Sequence, residues 1–415
     1  MELKLLTNNE FLEFSKKFSP SSIYQTTYYA FTMNEKNQSY LFLGLFDDNT
    51  LIGATMVLIY KENGFRYAVA PRGFLINYDN DDILVNFTNL IKRYLSKHDV
   101  VAIKINPMIV RGIYNFQKKL VYKNPLYDET FKRITNLGYF HLGYNNKFEA
   151  LKPRFEAVVN LDVSLVQMFA NIDKSYRNKI RKALRDGVKV YQSDESNLEY
   201  LYLQVKKKYP RDLSYFKNLY NFFDKDALVD FYYSKLDTTE YLQYTHRRYN
   251  EFYEKSVEAG KKLIASKGGN EKLINEKLRV DKMVTKYKNQ LSEATDLLKN
   301  FPNGIVISSA LVIKWKDTVY LAFDGLDEKY KKFNGKHLMI WKLMGRYSKL
   351  GFKKFDLGGV SNVAIHDDKY DGLNSFKLNF HSDVIEYAGD FELICNKPLY
   401  FLYKNSFGIS TIFKK

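Results

Sequence analysis

The sequence has little cysteine, no long apolar run and no spaced set of metal ligands, and each absence excludes a class of protein. Its single cysteine, Cys395, permits neither an internal disulfide nor a cysteine-based metal cage, and it fits a reducing compartment. No run of about 18 uncharged apolar residues occurs, so no transmembrane helix is expected. Residues 1–10 are mixed polar and lack a signal-peptide pattern. We therefore expect a cytoplasmic protein, either soluble or peripheral at a membrane.

Familiar catalytic signatures are also missing. The six histidines are scattered without ligand spacing, and the chain contains no HExxH, Walker A, dinucleotide-binding GxGxxG or GxSxG sequence. Lys332–His337 precedes a predicted helix, where acetyltransferases hold the pyrophosphate of acyl-CoA, but its single glycine makes a poor match. The sequence therefore predicts neither a metal site nor an organic cofactor.

The charge balance of the chain is strongly basic. Sixty-four lysines and arginines oppose 47 acidic residues, giving a net charge of +17 and an isoelectric point of about 9.3. Such a balance favours a polyanionic partner, namely nucleic acid, anionic lipid or a phosphorylated substrate. A hydrophobic fraction of 45% is ample for packed cores, and 415 residues suggest two domains.

The order of predicted elements indicates two similar α/β units. In the first, Tyr40–Leu45 and Leu51–Tyr60 read as a hairpin around a turn cluster. The second ends with two strands, a helix and a strand, predicted at Gly304–Trp315, Thr318–Phe323, 334–350 and Phe352–Leu357. We predict a first domain at 1–154, completed by the segment 385–415, and a second at 155–384. The tail from Pro398 is expected to be a terminal strand in preference to an amphipathic membrane contact.

The second unit contains an insert at 237–299. It is charged throughout, has apolar residues at mixed three- and four-residue spacings, and carries Gly268-Gly269-Asn270 at its middle. This pattern predicts an antiparallel pair of long helices that projects into solvent. Its role could be architecture, dimerisation or a basic arm for RNA.

A dense basic segment runs from Lys174 to Arg185. On a helix, Lys174, Arg177, Arg181 and Arg185 share one face, and aligned guanidinium groups suit phosphate oxygens. A merely solvated charged face is the alternative, but few acidic residues lie nearby as counter-charges.

A second segment of interest joins paired glycines to a lysine. Phe355–Val360 is an apolar run that ends in Asp356-Leu357-Gly358-Gly359, and Lys377 follows between Phe376 and Phe380. Glycine allows a close backbone approach to a ligand, and a lysine on an apolar element needs an anionic or carbonyl partner.

Together these segments resemble the Fem-type peptidyltransferases (the FemABX family) over nearly the whole chain. The matching segments, in order, are Ile23–Thr26, Pro71-Arg72-Gly73, Lys104–Pro107, Lys152–Phe155, Ser175–Ala183 with Gly187-Val188, Arg211-Asp212 with Tyr215 and Tyr220, Asp356–Gly359 and Gly372–Lys377. The resemblance implies two acetyltransferase-like (GNAT-like) domains with a coiled-coil arm in the second.

The resemblance also implies an activity and a set of site residues. The family transfers an amino acid from aminoacyl-tRNA to the stem peptide of a peptidoglycan precursor, with glycine, alanine or serine as the expected donor and lipid II or UDP-MurNAc-pentapeptide as the acceptor. Lys377 is the catalytic candidate, for an oxyanion or for the tRNA terminus. Precursor contacts are expected at Lys36, Arg72, Arg211, Tyr215, Tyr320, Gly358 and Gly359. Contacts with tRNA are expected at Arg177, Lys179, Arg181, Lys182 and Arg185.

Two positions depart from the family pattern. Met33 stands where a lysine is frequent, and Lys36 is a nearby substitute. Asn106 replaces the usual aspartate, so that site offers no carboxylate base.

Two other functions stay open at this point. One is an acyl-CoA-dependent N-acyltransferase on the same fold, and the other is a non-catalytic RNA-binding protein that uses the arm and the basic helix.

Overall fold

The structure, a computed structural model, describes residues 1–34, 38–62, 64–266, 270–365 and 369–406. Within these ranges the strands are β1 (Glu2–Leu5), β2 (Gln38–Asp47), β3 (Thr50–Glu62), β4 (Phe65–Pro71), β5 (Val100–Asn106), β6 (Val110–Tyr114), β7 (Leu120–Lys123), β8 (Tyr139–His141), β9 (Phe155–Asn160), β10 (Val188–Ser193), β11 (Val229–Leu236), β12 (Ile305–Trp315), β13 (Thr318–Leu326), β14 (Lys354–Val360), β15 (Asp383–Tyr387) and β16 (Phe391–Ile394).

Helices alternate with these strands. They are α1 (Asn8–Lys17), α2 (Thr27–Thr32), α3 (Asp81–Lys97), α4 (Tyr127–Asn136), α5 (Leu165–Asn171), α6 (Lys174–Arg185), α7 (Leu198–Val205), α8 (Leu213–Asp224), α9 (Thr238–Ala265), α10 (Glu271–Asn300), α11 (Gly335–Lys349), α12 (Asp371–Leu378) and α13 (Lys397–Ser406). Short 3-10 helices lie at Ile23–Gln25, Glu195–Asn197 and Glu328–Phe333.

The strands form two mixed sheets. The first has the order β1-β2-β3-β4-β5-β16-β8, and the second has the order β10-β11-β12-β13-β14-β9-β15-β6-β7. In each sheet one central pair is parallel, β4 with β5 and β13 with β14, and the remaining pairs are antiparallel. The predicted hairpin is therefore β2–β3, and the predicted strand-strand-helix-strand series is β12-β13-α11-β14.

Apolar side chains join the two sheets through shared helices. One core contains Phe42 and Met56 of the first sheet, Leu311 and Phe231 of the second, and residues of α7 and α8 between them. A direct polar contact crosses the same region, where the indole of Trp315 donates to the Ser21 hydroxyl at 2.9 Å. The two sheets are therefore held in a fixed relation around the space between them.

Sheet membership does not follow chain order at every strand. β6 and β7 precede residue 154 but pair into the second sheet, whereas β16 returns from the carboxyl-terminal part to the first. These pairings reflect which strand edges are free at each end, because a strand edge must satisfy its backbone groups by pairing or by water. The division at residue 154 stays a prediction.

The insert forms two long antiparallel helices, α9 and α10, as predicted from its spacing. Phe252 of α9 stacks on Tyr287 of α10 with ring centroids 5.3 Å apart, and Ala259, Val280 and Ala294 are also buried in the narrow seam. The predicted glycine turn at residues 267–269 lies outside the described residues.

The prediction of a terminal strand after Pro398 is wrong for the described part of that segment. Residues 397–406 form helix α13, and the Tyr403 ring stacks on Tyr67 at 5.7 Å. The Tyr400 hydroxyl donates to the Glu392 carboxylate. Tyr403 is buried against the first sheet whereas Phe401 is 68% exposed, so the segment buries one face of a helix. Its aromatic composition alone did not distinguish a helix from a strand.

Candidate active site

A cavity of about 740 Å³ opens where β13 and β14 separate. These parallel strands pair only as far as Tyr320 opposite Asp356, and beyond that register they separate. Residues 321–324 and 357–359 then line the two walls, and the segment 208–215 and the α2 region complete the cavity. An unpaired stretch of parallel sheet exposes backbone groups to a ligand, which is the usual way in which such strands form a binding site.

Paired glycines shape the wall formed by β14. Gly358 has a positive φ of 80°, and a β-carbon there would lie 3.4 Å from Nζ of Lys377. A β-carbon on Gly359 would lie 2.5 Å from Pro153, closer than side-chain atoms approach one another. The register of β14 against β9 also shifts between Asp356 and Gly359. Glycine is required here by backbone conformation and by close packing, so these residues shape the wall.

Lys377 projects from α12 to the base of this wall. Its side chain is largely buried, with 8% exposed, and its Nζ donates to the carbonyl of Gly359 at 2.7 Å. Burial lowers the pKa of Lys377 to about 8, although the nearby carboxylates of Asp324 and Asp356 oppose that fall. A lysine that binds a strand carbonyl inside a cavity is positioned to offer its remaining protons to a bound carbonyl or phosphate.

Asp356 is a second titratable group that the sequence did not single out as reactive. It accepts a hydrogen bond from the Gly358 amide at 2.6 Å. Burial, followed by repulsion from Glu156, raises the pKa of Asp356 to about 8. The sequence did indicate that Asp356 could line a site. It lies at the end of an apolar strand and just before paired glycines, where neighbouring strands can separate.

Arg72 lies behind the cavity and does not line it. The side chain is 1% exposed, donates to Glu156 at 2.6 Å and to the Pro153 carbonyl at 2.7 Å, and stacks on the Tyr387 ring at 4.2 Å. The expectation that Arg72 touches substrate is therefore not met by its position: it is fully engaged and fixes Glu156, which does line the cavity.

Arg211, Tyr215 and Tyr320 all line the cavity, as expected from the resemblance. The Arg211 guanidinium lies 5.0 Å from the centre of the Tyr215 ring at the more exposed rim. Tyr320 is deeper, and its pKa is raised by burial and by the neighbouring Asp356 and Glu156. The rim can therefore bind an anion, whereas the inner part of the cavity holds neutral hydroxyls beside carboxylates.

Lys152 is a cavity cation that sequence reasoning passed over as part of a structural segment. Its Nζ lies 3.6 Å from the centre of the Tyr24 ring and donates to the Tyr29 hydroxyl at 3.1 Å. Burial, then repulsion from Arg72, lowers the pKa of Lys152 to about 7.

The helix that begins at Gly335 does not offer an open pyrophosphate loop. Lys336 is ion-paired with Asp324, and a β-carbon on Gly335 would lie 2.4 Å from the Ser234 hydroxyl, so the helix start is packed against β11. The weak acyl-CoA match in the sequence therefore corresponds to a closed surface among the described residues.

The basic segment forms helix α6, with Arg181 and Arg185 exposed on its surface. Arg177 is partly buried, and its Nε has no hydrogen-bond partner among the described residues. Two lysines predicted to bind tRNA have partners within the chain: Lys179 lies over the Tyr176 ring, and Lys182 is paired with Asp186 at 2.6 Å. The exposed guanidinium groups of α6 are thus those of Arg185 and of Arg181, which also lies 5.2 Å from the centre of the Phe169 ring.

The two departures from the family pattern have different surroundings. Met33 lines the cavity. Asn106 is fully buried behind it: its amide accepts from Arg72 at 2.9 Å and donates to Asp390 at 2.6 Å. Asn106 therefore links Arg72 to Asp390 behind the cavity wall. Lys36, expected to substitute near Met33, lies outside the described residues.

Two further findings bear on the site. Among the described residues, no group of three or more histidine, cysteine, aspartate or glutamate side chains is arranged to hold a metal ion. In the same ranges, no helix combines the length and the apolar character needed to cross a bilayer.

Comparison with known proteins matches these features to one family. Residues 6–406 fit the FemAB family model. The aminoacyltransferase FemA of Staphylococcus epidermidis is 26% identical over 97% of this chain and 98% of its own length. The lipid II:glycine glycyltransferase of the same species is 25% identical over 97% and 95%, respectively.

Solved structures agree on the fold. The crystal structure of FemX superposes with a TM-score of 0.74 at 24% identity, covering 97% of this chain and 99% of that one. A tandem GNAT protein from the clavulanic acid biosynthesis pathway gives a TM-score of 0.51 at 7% identity over 95% and 98%. The predicted mixed α/β, GNAT-like fold is thus confirmed. The chain belongs to the FemAB family and is an enzyme of the aminoacyltransferase class.

Proposed function

We propose that this enzyme transfers an amino acid, glycine in the first instance, from aminoacyl-tRNA to an amine on the stem peptide of lipid II in the formation of the peptidoglycan interpeptide bridge. The similarity over almost full length to a lipid II:glycine glycyltransferase supports the acceptor and the donor residue. The basic charge of the chain supports two phosphate-bearing substrates.

The observation that carries the proposal is Lys377 bound to the Gly359 carbonyl inside the cavity. In the reaction the acceptor amine forms a bond to the ester carbonyl carbon, and the bond from that carbon to the tRNA ribose oxygen breaks. The carbonyl oxygen carries negative charge in between, and the Lys377 ammonium is the cation that can stabilise it. The chemistry then relies on positioning and on this charge.

A proton must also leave the attacking amine and reach the ribose oxygen. Asn106 cannot take it, because it is neutral and buried behind the cavity. Asp356 lines the cavity, and its raised pKa of about 8 lets it exchange a proton near neutral pH. We assign Asp356 to this transfer, so Asp356→Asn should lower the transfer rate more than it lowers affinity for either substrate.

A transfer assay tests the proposal. The purified protein is mixed with a pool of charged tRNAs and either lipid II or UDP-MurNAc-pentapeptide, and the mass of the product is read directly. A mass gain identifies donor and acceptor together. An absence of any gain, from folded protein that binds tRNA, would refute it; radiolabelled acetyl-CoA in a parallel reaction tests the acyl-CoA alternative.

Donor binding along α6 has a test of its own. Arg181→Gln and Arg185→Gln should each weaken binding of charged tRNA and reduce the slope of log affinity against log salt by about 0.7–0.9 per lost phosphate contact. Lys132→Gln, an exposed change on α4, is the matched control. Unchanged salt slopes in both arginine variants would remove α6 from the tRNA surface.

A further inference from the structure

Lys152 is a cation that lines the cavity. Among the described residues, no carboxylate oxygen lies within ion-pair distance of Lys152, and its Nζ donates only to a neutral phenol, at 3.1 Å from Tyr29. The ring of Tyr24 lies on another side, 3.6 Å from the ammonium. A partly desolvated charge is unfavourable unless a partner compensates it, so its retention in a cavity wall indicates an anion that arrives with the substrate.

The charges of the cavity fall into two groups. The Lys377 group contains Lys377, which binds the Gly359 carbonyl, and Lys336, which is paired with Asp324. The Lys152 group contains Lys152, which contacts Tyr24 and Tyr29, and Arg211, whose charge acts on Lys152. Asp356 lines the same cavity, and its pKa responds to the charges of both Glu156 and Lys377.

The basic helix packs beside the Lys377 group. Tyr176 of α6 contacts the ring of Phe376, with centroids 6.0 Å apart, and Lys336 lies 4.6 Å from the centre of that same ring. A tRNA bound along α6 would therefore deliver its terminus to the Lys377 group. The Lys152 group is left for the acceptor.

We propose that Lys152 is a specificity-determining residue that binds a phosphate oxygen of the acceptor precursor in the part of the cavity formed by Tyr24 and Tyr29. The inference rests on the proposed function for the identity of the acceptor. Tyr24 and Tyr29 hold the ammonium from two sides, and Arg211 approaches the same anion from the rim. The acceptor diphosphate is the chemical group that matches two converging cations.

A direct measurement of precursor binding tests the role of Lys152 separately from the catalytic step. With UDP-MurNAc-pentapeptide as probe, Lys152→Gln should raise the dissociation constant about 10- to 100-fold, the range expected for loss of a charge-assisted hydrogen bond. Lys152→Arg should retain most of the affinity. The control Lys132→Gln should change it by no more than about twofold. The KM for charged tRNA should be unchanged in all three variants.

A charge-relocation variant tests location independently of folding. Met33 lines the same cavity and lies one helical turn after Tyr29, so Lys152→Gln combined with Met33→Lys returns a cation to that part of the cavity. We expect part of the lost affinity to return in the double variant. A thermal melt of each variant checks folding, and removal of the uncompensated cation should not lower the melting temperature of the ligand-free protein.

The pH dependence supplies a further readout. The groups that face Lys152 are Arg72, Glu156, Arg211 and the two tyrosines. Since its pKa is about 7 without ligand, affinity of the wild type should fall between pH 6.5 and 8.5, and Lys152→Arg should flatten that fall.

The outcomes distinguish this inference from the proposed function. Wild-type affinity for the precursor in Lys152→Gln would overturn the inference whatever the acceptor is. Binding of inorganic pyrophosphate, but of neither precursor, by the wild type, with loss of that binding in Lys152→Gln, would support the anion site and overturn the proposed acceptor. Failure of the wild type to bind any of these probes would overturn both.

Discussion

Replacing Lys377 by methionine should separate its catalytic value from its effect on stability. The side chain is of similar length, so the change removes the charge and the hydrogen bond to Gly359 while filling much of the same space. Loss of one donor to a developing oxyanion typically lowers the rate about 10²–10³-fold. We expect that fall in kcat, with acceptor affinity nearly unchanged because Lys152 and Arg211 lie in the other charge group.

The same change should leave stability equal or slightly higher. The pKa of Lys377 falls from 10.5 to about 8 on folding, which corresponds to about 3 kcal/mol against the folded state below pH 8. An unpaired Gly359 carbonyl in the variant offsets about 1–2 kcal/mol of that gain. A net gain of about 1–2 kcal/mol is expected at pH 7. It should shrink as pH rises from 8 toward 10.5, because the folded wild type then loses the proton that the unfolded chain still holds.

The assay pairs single-turnover transfer with denaturant unfolding at pH 7 and pH 9.5, for the wild type, Lys377→Met, Lys377→Arg and the exposed control Lys132→Met. Two results would refute the reasoning. Transfer within about threefold of the wild type would remove the oxyanion role, since the expected loss is at least tenfold larger. A loss of several kcal/mol of stability would mean that Lys377 holds the site together.

Two further predictions follow from close packing and buried charge. Gly359→Ala should abolish most activity and lower the free energy of unfolding by about 1–3 kcal/mol, because its β-carbon would meet Pro153. Gly372→Ala, in the open first turn of α12, is the control and should be neutral. Equal unfolding midpoints for the two variants would contradict this prediction. Asn106→Asp should destabilise the fold by about 1–3 kcal/mol at pH 8 and by less at pH 5, because the new carboxylate would face Asp390. An increase in kcat would instead show that position 106 acts in catalysis.

The sequence predicted those parts of the fold that local pattern controls. The β2–β3 hairpin, the α9–α10 arm and the β12-β13-α11-β14 series all follow from periodicity and turn residues within a few positions of one another. The exchange of β6, β7 and β16 between the two sheets could not be predicted in this way. Strand pairing across several hundred residues depends on which strand edges are free after the rest of the chain has packed.

The site shows the same limit. The paired glycines and Lys377 stand out locally, whereas Glu156 reads as an ordinary strand residue. Its place in the cavity is fixed by Arg72, which lies 84 positions earlier in the chain. The place of Lys152 in the cavity was not predicted, because its neighbours Tyr24 and Tyr29 are also distant in sequence. Burial of a charge is a tertiary property, and a single sequence does not display it.

Charge balance explains why an asparagine suits position 106 in this chain. Hydrogen bonds connect Lys104 to Asp390, Asp390 to Asn106, Asn106 to Arg72 and Arg72 to Glu156. This buried series holds two cations and two carboxylates, so a neutral residue in the middle leaves it balanced. An aspartate there would give three carboxylates to two cations, and the excess charge would have to be neutralised by a proton. The series also fixes Glu156 at the cavity wall. Asn106 thereby acts on the site through the orientation of Arg72, and the loss of a carboxylate at that position is compatible with catalysis by groups that line the cavity.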